Sequence, residues 1–221
     1  ATITVPQLVL NSGGNVTLTE NNAVDTLSAK LRDSSATLDF NTTSNLQISG
    51  FTPPSCTSCT IDGIRTNGGA VTLTSGGNLN NNAPGIDTSN GGTLALTSAG
   101  NVSLTSGGSV MSTALIKGKA VTLNGSTAQV TDGDGTATNI IADSLSFHVA
   151  RFGTSSDAIE VQINQLGNLV ANDTMGGGIY LESVTPLTIN AGTSISGKTV
   201  SLTALGALTL SSGASITADN I

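Results

Sequence analysis

Cys56-Thr-Ser-Cys59 holds both cysteines of this 221-residue chain. That spacing suits a zinc half-site, a redox pair or a short disulfide. A structural zinc needs a second pair of ligands, and the only histidine, His148, lies far away in sequence. A thioredoxin-like pair belongs in a βαβ unit, for which the sequence gives no pattern. Asp132-Gly-Asp-Gly135 alternates carboxylates as a calcium loop does. Calcium takes about six to eight oxygens, and the later EF-hand ligands and closing Glu are missing. The Gly-Gly-x-Gly-x-Asp repeats of calcium-binding β-rolls are missing too. The stretch reads as an acidic turn.

Sugar-cleaving chemistry would need carboxylates gathered on one face, often with Lys or Arg. Asp39, Glu160 and Glu182 are the acidic residues placed between inward positions of strand-like segments, and they come from distant coils or an uncertain unit. His148 falls between Phe147 and Val149, both expected inward, so it should face solvent. Thr72, Thr74, Thr97, Thr105, Thr122, Thr203 and Thr209 invite comparison with the threonine ranks of ice-binding solenoids. They fall on different strands, and Thr is in any case a good outward strand residue. No catalytic residue, cofactor or metal ligand is assigned, and the expectation is a protein that is not an enzyme.

These side chains sit on a repeat. Aligning Gly178–Ile195 with Thr199–Ile216 puts Ile179 over Val200, Leu187 over Leu208 and Ile195 over Ile216, each 21 residues apart (200 − 179, 208 − 187, 216 − 195). Within each short segment apolar residues alternate with small polar ones, the period-2 mark of a strand with one buried face. A fixed period of about 20–50 residues marks a solenoid, in which neighbouring units bury what none can bury alone. The fold expected is all-β, a parallel β-helix of roughly ten coils of about 21–22 residues, forming a single domain over 1–221. Leu94, Val102 and Val110 repeat the spacing of Ile179, Leu187 and Ile195, suggesting one shared cross-section. Leu38 follows Val16 by one coil, and Pro6 implies an edge or corner, because it lacks a ladder donor.

Two stretches break the rhythm. Residues 51–66 contain Pro53-Pro54 and the two cysteines and read as a projecting loop. Residues 150–175 form a longer, irregular unit. Within it, Ile159, Val161 and Ile163 alternate as in a strand, while Ile159, Ile163, Leu166 and Leu169 suit a helix. Both readings stand, with a departure from the coil slightly preferred.

Composition narrows the partners. With 2% aromatic residues and no Trp, the core must be stacked Val, Leu, Ile and Ala. A net charge of −7, with 10% charged residues, offers no basic surface for nucleic acid or anionic lipid. No apolar run is long enough for a membrane span, and Ala-Thr-Ile-Thr-Val lacks the charged start and apolar centre of a signal peptide, so export would require a signal removed earlier or lying outside this sequence.

Gly68-Gly-Ala-Val-Thr-Leu-Thr-Ser-Gly-Gly-Asn-Leu79 and Gly100-Asn-Val-Ser-Leu-Thr-Ser-Gly-Gly-Ser-Val110 resemble the repeats of filamentous-haemagglutinin-like exoproteins and giant bacterial β-strand-repeat surface adhesins. The stretch from Phe152 to Asp173, closing with Gly177-Gly-Ile-Tyr-Leu181, looks like a recurring unit of the same proteins. The likeness covers most of residues 68–221 and weakens before Ala36. It implies a right-handed parallel β-helix, secreted or displayed on the cell surface of a Gram-negative-type bacterium, serving as stalk, fibre or adhesive rod. It carries over no catalytic residue and no adhesive site. In such an exported chain Cys56 and Cys59 are expected to form a local disulfide closing the Pro-Pro loop.

Solenoids hide their end coils under polar caps. None is visible here: Ile3 and Val5 open the sequence in strand-like fashion, and Ile216 is followed by Ile221 in the column of Ile179 and Val200. The expected partners are therefore further copies of the chain or adjacent repeats of a longer one, stacked end to end. Cell-surface glycans are a further candidate, and a carbohydrate-binding or carbohydrate-cleaving β-helix is the alternative reading.

Overall fold

A computed structural model describes residues 1–54, 60–82, 85–88, 94–98, 102–105, 115–132, 135–171 and 178–219. Every regular element among them is a β-strand, and every strand pairing is parallel. Seventeen strands join one sheet that wraps around the molecule, and Leu187–Ile189 pairs with Leu208–Leu210 in a second. The chain is a β-solenoid.

Three faces can be followed turn by turn. On the first, Val16 lies beside Leu38, then Val71, Leu94, Val121 and Leu145. Leu145 adjoins Leu166, and after a register shift Leu169 continues to Ile195 and Ile216. The second runs from Leu46 through Leu79, Val102, Val130, Phe152 and Ile179 to Val200. The third runs from Ala29 through Ile64, Ile86, Ile116 and Ile140 to Val161. Between the ends of each column a residue thus has an apolar register partner before and after it, and Leu27, Leu38, Ile64, Leu73, Ile86 and Phe152 are fully buried. This supplies the hydrophobic drive that the low aromatic content withholds. The two rings that meet in the core, Phe147 from the first face and Phe152 from the second, stack with centroids 4.3 Å apart.

The path from Val16 to Ile216 takes about eight turns, not the ten expected. The 21-residue spacing holds for the last turns, where Ile179 pairs with Val200, Leu187 with Leu208 and Ile195 with Ile216 as aligned. Earlier turns vary: Val16 pairs with Leu38, 22 residues on (38 − 16), but Leu38 pairs with Val71, 33 residues on (71 − 38). That turn contains the Pro-Pro loop, whose base is an antiparallel bridge between Phe51 and Ile61. Ile64–Asn67 is already back in the stack.

Two further expectations change. Ile159–Ala171 is one parallel strand of the solenoid, neither a helix nor a departure from the coil. Burial of Ile159, Val161 and Ile163, together with backbone ladders on both sides, outweighs the helical spacing. Ile140–Phe152 before it is likewise a regular strand. The Leu94 and Ile179 rows share a spacing but not a phase, because Leu94 lies on the first face and Ile179 on the second. Alternation fixes which side chains point inward, whereas turn length decides which face a strand joins.

The corner between first and second faces is lined by small polar residues that turn inward. Asn22, Thr42 and Ser75 are register partners, each 1% exposed. Asn22 Nδ2 donates to the carbonyls of Leu18, Glu20 and Asn41 at 2.9–3.0 Å. Thr42 Oγ1 accepts the Val24 N–H at 3.2 Å, and Ser75 Oγ donates to the Ser44 carbonyl at 3.0 Å. The backbone can bend here because these side chains satisfy the groups the bend frees.

Candidate functional site

Glu160 is the one acidic side chain that is deeply buried among the described residues, at 5% exposure. It sits between inward Ile159 and Val161, so alternation sends it outward, yet its neighbours close over it. Its backbone is fixed by Asn139, whose N–H donates to the Glu160 carbonyl at 2.9 Å and whose Oδ1 accepts the Glu160 N–H at 3.1 Å. Asn139 Nδ2 donates to Asp132 Oδ1 at 3.0 Å, drawing the acidic turn against the same spot. On the following turn Glu182 is the register partner of Glu160. Glu160 Oε2 is buried without a hydrogen-bond partner. Burial pushes the Glu160 carboxyl up to about 7; its own backbone N–H opposes this, and Asp132, Glu182 and Asp157 add to it.

The structure therefore pairs Glu160 with Glu182, one repeat further along the chain (182 − 160 = 22), and adds Asp132 and Asp157. Asp39 stands apart on the first face, between Thr17 and Thr72. Among the described residues no three His, Cys, Asp or Glu side chains converge on a point that could hold a metal ion. His148 is exposed between buried Phe147 and Val149, as expected. The threonines form no unbroken rank: Thr74 adjoins Thr97, but Thr72 lies between Asp39 and Ala95.

At the ends, Ile3 and Val5 are half-buried against the core, as is Ile216. Ile3 is held by Asn22, whose Oδ1 accepts its N–H at 2.9 Å. Burial fades along the last turn: Val200 is 2% exposed, whereas Leu208 is 49%, Leu210 54% and Leu205 73% exposed. Cys56, Cys59 and Ile221, like Asp134, lie outside the described residues.

A recurring asparagine went unnoticed in the sequence. Asn15, Asn45 and Asn139 each precede the first inward residue of a strand, namely Val16, Leu46 and Ile140, and Asn168 precedes inward Leu169 within Ile159–Ala171. Each Oδ1 accepts a backbone N–H from the next turn: Thr37 at 3.0 Å, Asn78 at 2.8 Å, Glu160 at 3.1 Å and Ser194 at 3.0 Å. The signal was the repeated Asn-Val, Asn-Leu and Asn-Ile pair, which turn composition alone had absorbed.

No family model, curated protein or solved structure matches this chain. Its site must be read from its own geometry. No helix among the described residues is long and apolar enough to cross a membrane.

Proposed function

We propose that this chain is a structural rod outside the cell, part of an adhesin stalk or a subunit of an end-to-end stacked surface fibre. The observation that carries the reading is the stack of parallel turns itself, whose apolar columns run along the molecule from Val16 to Ile216. Thr199–Ala204 and Ser215–Thr217 each pair on one side only among the described residues, and Leu205, Leu208 and Leu210 are exposed beside them. Thr4–Ser12 and Val16–Leu18 stand at the opposite end, on the same faces and equally pairable. A further turn of the same cross-section, from another copy or from adjacent repeats, fits such an end by continuing the ladders. Contact of this head-to-tail kind does not close on itself and builds filaments.

The outer surface supports a scaffold over a catalyst. A carbohydrate-cleaving site needs carboxylates presented to a substrate, whereas Glu160 is buried and Asp39 lies on another face. Sedimentation of the purified chain over a range of concentrations tests the reading. Association that grows with concentration and is lost in Leu208→Asp and Leu210→Asp is expected. A wild-type chain that remains monomeric throughout contradicts self-stacking.

A further inference from the structure

Glu160 is a carboxyl surrounded by carboxyls. Asp132 approaches from the end of Ile116–Asp132, Asp157 from the turn before Ile159 and Glu182 from the following strand; no cationic side chain is among the groups acting on its charge. The ordinary ways of neutralising a buried acid are an ion pair, a metal ion or a proton. The first lacks a partner. The second needs several oxygens around one point, and no such point exists among the described residues. The third needs only a sheltered oxygen, and Glu160 Oε2 is one.

We propose that Glu160 is a proton switch built into the solenoid: its carboxyl holds a proton in acid, keeping the Asp132 turn and the Glu182 strand closed against it, and loses that proton as pH rises, setting like charges against each other and loosening the contact between these turns. The device requires the structure as observed. Asn139 ties Asp132 to the Glu160 backbone, so the acidic turn cannot swing clear without breaking bonds at 2.9, 3.0 and 3.1 Å. Parallel register keeps Glu182 one strand away.

The pH dependence has a definite sign. An acid whose folded-state value lies above its unfolded one binds its proton more tightly when folded. Stability from this group is therefore full below about 4.5, falls as pH rises to about 7 and is level above that.

Carboxyl carbon NMR of the chain labelled at glutamate tests the switch, with the Glu160 signal assigned by its loss in Glu160→Gln. A midpoint near 7 is expected, moving down in Glu182→Gln, where one neighbouring charge is gone. Thermal melts provide the second measurement: the wild-type midpoint should fall between pH 5 and 7.5, and the Glu160→Gln midpoint should fall less. Should Glu160→Gln fail to fold, the Glu182→Gln melts still report, with a pH dependence shifted toward acid. A Glu160 midpoint in the ordinary carboxylate range near 4.3 would overturn the proposal. So would an unchanged pH slope in Glu160→Gln, or millimolar calcium raising the wild-type melting temperature but not that of Glu160→Gln.

Discussion

Asn168 reaches from one turn to the next and accepts the backbone N–H of Ser194 at 3.0 Å, 26 residues further along the chain. Asn15, Asn45 and Asn139 do the same at other turns. The side chain takes up a donor that the chain's bend leaves outside the ladder. Each of these asparagines thus couples a corner to its neighbour where no apolar contact can.

Replacing them separates exposed from buried staples. Asn168→Ala, at an exposed site, should cost about 0.5–1 kcal/mol. Asn139 is 1% exposed and also holds Asp132, so Asn139→Ala should cost about 1–3 kcal/mol by leaving buried groups unsatisfied. Urea unfolding of the two variants checks the order.

Gly69 should tolerate no side chain. A Cβ there would overlap the Ala36 carbonyl oxygen of the preceding turn, which is backbone and cannot step aside. Gly69→Ala should destabilise by about 3 kcal/mol, seen as a lower urea midpoint, because two stacked turns must separate.

Ser35 is the converse. It is the non-glycine residue among those described that adopts a left-handed backbone, with φ of 65°. Such a conformation costs a side-chain-bearing residue about 1–2 kcal/mol, offset in part by the greater unfolded-state freedom of glycine. Ser35→Gly should raise stability by about 0.5 kcal/mol, measurable by calorimetry.

Phe152 anchors the middle of the core, fully buried and stacked on Phe147. Phe152→Ala should cost about 3–5 kcal/mol, and Phe152→Leu distinctly less, since leucine is what the stacked columns already hold. Chemical denaturation of both variants gives the comparison.

The residues most legible in sequence are those governed by local rules. The 21-residue repeat placed Ile179, Leu187 and Ile195 against Val200, Leu208 and Ile216, and alternation put His148 outside. What neither rule could carry was the length of the other turns. The number of turns and the face taken by Leu94 depend on how many residues each corner consumes, and corners here vary from one turn to the next. Ile159–Ala171 fits helix and strand equally until its neighbours are present to offer backbone partners. The Glu160 cluster was illegible for the same reason. Asp157 is a chain neighbour of Glu160, but Asp132 and Glu182 come from two other segments and are brought alongside by the stacking of the turns.

Electron microscopy of the purified chain at high concentration tests the central proposal most directly. The expected result is unbranched filaments one solenoid wide with an axial repeat of about 4.8 Å, reduced in Leu208→Asp to separate particles about 40 Å long, as about eight turns require. Wild-type particles that stay separate and unjoined at every concentration would contradict it.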